Sequence, residues 1–121
     1  MKNIKYVRYG FMLLMCVLLL ACGDKNKKID RSLLPGKWQQ GTLFEVYNVD
    51  GTGHTWDEAD DVTEEEAQEM TWTLDENELT QLHKMEIGTG VIPKVYTVTE
   101  LTATTFKYKD NYKSCSFTRV K

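Results

Sequence analysis

Short runs of alternating hydrophobic and polar residues follow one another from Lys37 to the end of the chain. In residues 70–74, for example, Met70, Trp72 and Leu74 alternate with threonines. A period of two is typical of a β-strand that buries one face. Segments rich in Gly, Asp and Asn separate the runs and favour tight turns, at residues 50–53, 75–78, 88–90 and 110–111.

The pattern predicts about eight short strands and no long crossover helix, which excludes parallel pairing. We therefore expect an all-β fold, an eight-stranded antiparallel up-and-down meander that removes its edges by closing into a small barrel. One polar segment, residues 57–69, interrupts the strands. Within it Thr63 and Glu66 have the spacing of a capping box, which predicts one or two helical turns over residues 64–69.

The alternation assigns a set of large side chains to the interior of this barrel. An eight-stranded barrel is just wide enough for side chains to fill, or to hold one small ligand. We expect a mostly packed core, with any pocket shallow and near one mouth. The predicted interior residues are Trp38, Phe44, Trp56, Met70, Trp72, Leu79, Met85, Tyr96, Phe106, Tyr108 and Phe117.

The N-terminus has the pattern of a secretory signal peptide. Three basic residues, Lys2, Lys5 and Arg8, precede an unbroken apolar run over residues 11–20. Ten residues are too few for a stable span, which needs about 20. We therefore predict that residues 1–21 are removed from the mature protein.

The end of this run, Leu19-Leu20-Ala21-Cys22, resembles the lipobox of bacterial lipoproteins. The resemblance implies a lipidated Cys22 as the first mature residue, with the membrane as its partner through the lipid anchor. Because Gly23 follows, the aspartate that retains some lipoproteins at the inner membrane is missing at that position, which favours the outer membrane. The face of that membrane stays open, and so does the alternative of an ordinary signal peptide. Residues 22–31 then form a polar tether, and residues 32–121 form one domain.

The segment LLPGKW, residues 33–38, begins this domain. Its Gly36-Lys37-Trp38 resembles the Gly-x-Trp that opens the first strand of lipocalins, and Arg119 matches their late arginine. The resemblance is to small lipocalin-like (calycin-type) bacterial lipoproteins. It implies that Arg119 lies over Trp38 and closes the floor of the barrel. The strands are shorter than in lipocalins, and the C-terminal helix of that family is missing from the sequence.

Strand direction predicts where a ligand would bind. If Trp38 and Arg119 mark the floor, the loops at residues 41–42, 57–69, 88–90 and 110–111 surround the opposite, open mouth. The side chains expected to line a pocket there are His54, Trp56, Trp72 and His83. We expect the long acidic segment 57–69 to act as a lid.

Charge is unevenly distributed along the chain. Without the signal peptide, 12 basic residues face 18 acidic ones, a net charge of −6. Residues 50–78 hold 12 acids and no Lys or Arg. An acidic surface argues against nucleic acid as a partner. The acidic run is either a solvated face or a docking segment for a basic protein.

Catalytic and metal-binding patterns are missing from the sequence. No Ser or Cys stands beside a base in a recognised motif, so we predict no enzyme and no catalytic residue. His54, His83 and Cys115 do not have the spacing of a zinc site, and we predict no metal and no cofactor. With Cys16 in the signal peptide and Cys22 lipidated, Cys115 is expected to be a buried free thiol.

Two functions remain. The first is a membrane-anchored lipocalin-like lipoprotein of the cell envelope that binds a small apolar or amphipathic molecule at its mouth. The second is a non-enzymatic interaction module whose acidic segment docks an unknown protein partner.

Overall fold

The structure is a computed structural model that describes residues 29–121. The predicted signal peptide, Cys22 and most of the tether lie outside the described residues. Three short 3₁₀ turns occur, Arg31–Leu33, Glu58–Asp60 and Glu64–Glu66. The eight strands are β1 Gly36–Gln40, β2 Leu43–Tyr47, β3 Thr52–Asp57, β4 Gln68–Asp75, β5 Glu78–Lys84, β6 Val91–Leu101, β7 Thr105–Lys109 and β8 Ser114–Arg119.

Each strand pairs antiparallel with the next one in the chain, and β8 pairs with β1, so the sheet is a closed barrel. The predicted fold class is therefore confirmed: an all-β, eight-stranded meander that closes on itself. The polar segment between β3 and β4 forms two of the 3₁₀ turns, and Glu66 Oε1 accepts a hydrogen bond from the Thr63 backbone N–H at 3.3 Å. Within residues 29–121, no helix is long and apolar enough to cross a bilayer.

The two ends of the barrel are defined by the direction of β1. It begins beside Arg119, because Trp38 pairs with Arg119 across the β1–β8 seam. We call this end the floor. Since every hairpin reverses the chain, the turns after β2, β4 and β6 also lie at the floor, and those after β1, β3, β5 and β7 lie at the opposite end, the mouth. The predicted placement of the loops is confirmed.

Arg119 ties the floor together. Its guanidinium lies 4.2 Å from the centroid of the Trp38 ring, and its Nε donates to the carbonyl of Ala103 at 2.6 Å. Its Nη1 and Nη2 donate to the carbonyls of Pro35 and Leu33 at 2.9 and 2.5 Å. One side chain therefore binds β8 to the β6–β7 turn and to the segment that precedes β1.

Gly36 makes room for this arrangement. Its φ angle is +140°, and a Cβ atom at this position would collide with Arg119 Nη1. The next inward residue, Trp38, is fully buried and donates from Nε1 to the carbonyl of Leu34 at 2.8 Å. The Gly-Lys-Trp sequence thus combines close approach of an arginine with an indole that plugs the floor.

Above the floor, the interior is filled mainly by aromatic rings. Phe106 lies at their centre, with ring centroids 5.4 Å from Trp38, 5.7 Å from Tyr47 and 5.7 Å from Phe117. Other core residues surround these rings, namely Leu34, Met70, Trp72, Leu74, Leu79, Tyr96, Val98, Leu101, Tyr108 and Cys115. Of the described residues, Cys115 is the free cysteine, and it is buried.

Three predicted interior residues, Phe44, Trp56 and Met85, are not inside the barrel. Trp56 pairs with Phe44 across β2 and β3 and shares its outward face. In β2, Glu45 and Tyr47 are buried and face inward, so Phe44 faces outward. The prediction was wrong because both faces of this strand carry large hydrophobic residues, and the carboxylate of Glu45 favoured the outside. Met85 follows the end of β5 and is 41% exposed, because the chain leaves the barrel wall at Lys84.

Replacing Arg119 with lysine should destabilise the barrel even though the charge is kept. A single ammonium group cannot reach the carbonyls of Leu33, Pro35 and Ala103 together, and a hydrogen bond from a charged donor contributes about 1.5–3 kcal/mol. We expect Arg119→Lys to lower the free energy of unfolding by about 2 kcal/mol in chemical denaturation. Lys109→Met, which removes an exposed cation from β7, is the control. An unchanged midpoint for Arg119→Lys would contradict this account of the floor.

Candidate functional site

The mouth contains a cavity of about 230 Å³ inside the barrel. This corresponds to the volume of roughly eight waters in the liquid. Its walls come from strands β2 to β7 and from the β7–β8 turn, and they are about equally polar and apolar. The inward residues at its lining include Thr55, Gln68, Gln81, His83, Tyr96 and Tyr108. The cavity is therefore small and mixed in character, with tyrosine rings beside amides and charged groups.

A buried carboxylate lies at this site. Glu45 is 4% exposed and also lines the cavity. Its Oε1 accepts from the Tyr47 hydroxyl at 2.6 Å, and its Oε2 accepts from the Tyr108 hydroxyl at 2.7 Å. Both oxygens are thus satisfied by phenols that the core rings hold in place.

Further hydrogen bonds connect this carboxylate to the strands opposite. Gln81 Nε2 donates to the Tyr47 hydroxyl oxygen at 2.7 Å. Its Oε1 is 2.7 Å from His83 Nε2, and His83 Nδ1 is 3.0 Å from Gln68 Oε1. The chain of contacts joins β2, β4, β5 and β7. We call the six residues Glu45, Tyr47, Gln68, Gln81, His83 and Tyr108 the mouth network.

Burial controls the protonation of this network. It raises the pKa of Glu45, while the hydrogen bonds from Tyr47 and Tyr108 and the charge of Lys113 act in the opposite direction. Burial, together with the charge of Glu45, also raises the pKa values of Tyr47 and Tyr108. Both phenols therefore remain protonated and serve as donors to the carboxylate.

His83 is neutral at pH 7. Burial first, and then the charges of Lys94 and Lys113, lower its pKa to about 4. Because Gln81 turns its oxygen toward the ring, His83 Nε2 carries the hydrogen and Nδ1 is an acceptor. A neutral ring then requires the Gln68 amide to present Nε2 rather than Oε1 to Nδ1, a rotation that keeps the 3.0 Å contact and gives up its bond to the Lys84 carbonyl.

Two lysines border the same cavity. Lys113, in the turn between β7 and β8, has its Nζ 5.6 Å from the centroid of the Tyr96 ring. Lys94 is in β6, opposite Gln81 of β5. Within residues 29–121, neither lysine forms a salt bridge. Both lysines line the cavity together with His83, so two positive charges lie at the mouth.

The four residues predicted to line a pocket are distributed over three regions. His83 lies in the mouth network. Trp72 lies in the core toward the floor, where its Nε1 is 3.1 Å from the carbonyls of Asn48 and Thr52. Trp56 borders the cavity, but its ring stacks on Phe44 on the outer wall, with centroids 4.8 Å apart. His54 stacks on the other side of Trp56 at 5.7 Å.

The acidic segment does not cover the mouth as a lid. Glu64 bonds Lys37 Nζ and His54 Nε2, each at 2.9 Å, and both partners lie on the outer wall. The prediction was wrong because an outward lysine on β1 and an outward histidine on β3 hold this turn against the outer wall, contacts that the local sequence does not show. An open groove of about 740 Å³ separates the turn from the outer faces of β3, β4 and β5. Among the described residues, no group of three His, Cys, Asp or Glu is placed to hold a metal ion.

Most of the mouth network was missed by reading the sequence. Placing Phe44 inside put its neighbour Glu45, and with it Tyr47, on the outside, and no role was predicted for Gln68 or Gln81. One signal was available: Gln81 and His83 alternate with Leu79 on a single face of β5, so two polar side chains had to enter the interior.

The chain was compared with protein-family models, with curated proteins and with solved structures, and none of these comparisons found a match.

Replacing His83 should change how stability depends on pH. The unfolded ring, with a pKa near 6.5, takes up a proton before the folded ring does, whose pKa is about 4. Acid therefore favours unfolding through His83, and this loss of stability develops between about pH 6.5 and pH 4. A shift of this size corresponds to roughly 3 kcal/mol, which water in the open mouth reduces to about 1–2 kcal/mol.

The measurement is the difference in unfolding free energy between the original protein and His83→Gln from pH 7.5 to pH 4. Taking the difference removes the contribution of Glu45, which has the opposite sign because its pKa is raised. We expect the original protein to lose more stability in acid than the variant does. His54→Gln, on the outer wall, should leave this loss in place. Parallel pH profiles for His83→Gln and the original protein would contradict a buried neutral ring.

Proposed function

We propose that this chain is a lipid-anchored, lipocalin-like barrel of the bacterial cell envelope that binds a small amphipathic molecule in the mouth cavity. One observation carries the proposal: a closed barrel, packed at its floor, leaves a cavity of about 230 Å³ at its mouth with both aromatic and charged walls. Such a combination offers apolar surface for one part of a ligand and polar groups that orient the rest.

The chemistry of the cavity lining limits the classes of ligand that it could bind. Tyr96 and Tyr108 lie with ring centroids 4.3 Å apart and present apolar surface. The mouth network and the lysines supply donors and acceptors around it. A purely apolar molecule would displace water from the ammonium groups of Lys94 and Lys113 without giving them a partner, which costs about 1–3 kcal/mol for each group. An amphipathic ligand avoids that penalty.

The anchor is proposed from the lipobox and from its distance to the barrel. Cys22 precedes Ile29 by seven residues, and Ile29 packs against the core. The adjoining turn, Arg31–Leu33, lies at the floor, where Leu33 accepts a hydrogen bond from Arg119. An acyl anchor at Cys22 would therefore hold the floor toward the membrane and leave the mouth pointing away. Docking of a basic protein by residues 57–69 stays an alternative prediction.

Native mass spectrometry of the full chain purified from its own host tests ligand binding. We expect an additional small-molecule mass on the original protein. Thr55→Phe, which places a ring in the cavity, should abolish this mass, because a lining position is filled. Thr73→Phe makes the same change on the exposed face of β4 and should retain the mass. A mass that persists in Thr55→Phe, or that is never present, would contradict binding at the mouth.

Fractionation of cells tests the anchor. Cys22→Ala removes the sulfur that would be acylated, so we expect the protein to become soluble or to remain unprocessed. Cys16→Ala changes a cysteine of the signal peptide outside the lipobox and should leave the protein in the membrane fraction. A Cys22→Ala protein that loses its signal peptide and still fractionates with membranes would show that Cys22 is not the anchor.

A further inference from the structure

We propose that the ligand of the mouth cavity carries an anionic group, which Lys94 and Lys113 hold at the rim while its apolar part lies against Tyr96 and Tyr108. The inference rests on the proposed function, because it names the ligand class of the same cavity. It assigns a role to two lysines that the fold itself does not require.

Among the described residues, Lys94 and Lys113 have no salt-bridge partner. Residues 29–121 hold 17 acidic and nine basic residues, so carboxylates outnumber cations on this surface. The carboxylates near the mouth accept hydrogen bonds from other groups. Asp57 accepts from Thr42 Oγ1 at 2.6 Å and from the Ala59 N–H at 2.9 Å. Asp110 accepts from the backbone N–H groups of Tyr112 and Lys113 at 2.8 and 2.9 Å.

Glu45 does not replace a ligand as the partner of these lysines. Its two oxygens are occupied by the hydroxyls of Tyr47 and Tyr108, and it is buried below the rim. It does set a limit on how a ligand enters, because a second negative charge close to this carboxylate is repelled in a poorly solvated interior. The anionic group therefore stays at the rim with the lysines, and the uncharged end of the ligand points inward.

The position of Lys113 favours the same arrangement. Lys113 is exposed, and its Nζ lies 5.6 Å from the centroid of the Tyr96 ring, within the range of a cation–π contact. A carboxylate bound there would touch the ammonium while the body of the ligand covers the tyrosine. A single-ring aromatic carboxylate is of suitable size for a cavity of about 230 Å³.

Three probes of similar shape and different charge test which charge the cavity prefers: the anion benzoate, the neutral benzamide and the cation benzylamine. Saturation-transfer NMR with the full chain in lipid nanodiscs measures weak binding of each, with empty nanodiscs as the blank. We expect the dissociation constant of benzoate to be about tenfold lower than that of benzamide. Lys94→Met and Lys113→Met should each remove most of this preference, so that benzoate and benzamide bind with similar dissociation constants. Lys109→Met, which removes an exposed lysine of β7, should change neither.

Each of the other possible results contradicts one specific part of the proposal. Equal binding of benzoate and benzamide would overturn the anionic class and leave the proposed function intact. Tightest binding of benzylamine would also overturn it, because Glu45 would then be the recognising charge. If none of the three probes binds and native mass spectrometry finds no ligand, the proposed function fails together with this inference. A preference for benzoate that survives both lysine substitutions would place the anion elsewhere.

Discussion

The barrel depends on how its first and last strands are joined. β1 and β8 pair at two positions, Trp38 with Arg119 and Gln39 with Thr118, whereas β5 and β6 pair at seven. A seam this short contributes few backbone hydrogen bonds, so other contacts must hold it. Arg119 supplies three bonds to backbone carbonyls at the floor, and Gln40 Oε1 accepts from the Ser116 N–H at 2.6 Å further along the seam. Side-chain hydrogen bonds therefore supplement the few backbone hydrogen bonds that close the barrel between β1 and β8.

This closure divides the interior into two chemically different halves. Toward the floor, Trp38, Phe106 and Phe117 exclude water and pack against one another. Toward the mouth, Glu45 and the mouth network take the place of apolar packing. A buried carboxylate is a poor source of stability, since hydrophobic residues of similar volume usually serve as well or better. A fully hydrogen-bonded carboxylate beside an open cavity therefore fits the proposed binding site better than a role in stability.

The sequence was sufficient for the strands, the closure and the direction of the loops, because alternation, turn residues and the Gly36–Trp38–Arg119 pattern all agree. It was insufficient where one strand is hydrophobic on both faces. In β2, the sequence allows either Phe44 or Tyr47 to face the interior. The contacts of each side chain determine the outcome, because Phe44 stacks on Trp56 on the outer wall and Tyr47 hydrogen-bonds Glu45 inside. The same limit applies to residues 57–69, whose position depends on Lys37 and His54, far away in the sequence. Contacts between distant outward residues leave no trace in local periodicity.

The proposal that an acidic protein binds an anion raises an apparent conflict, which distance resolves. At physiological ionic strength charges are screened beyond about 8 Å, so most of the carboxylates on the outer wall have little effect on a group at the rim. Glu64, which approaches the barrel most closely among the acids of its turn, is already paired with Lys37 and His54. The potential at the mouth is then set by the groups that line it, the exposed Lys94 and Lys113 together with Asp57 and the deeply buried Glu45. Because Lys37 and His54 hold the acidic turn against the outer wall, the turn leaves the mouth uncovered and its negative charge stays away from the rim.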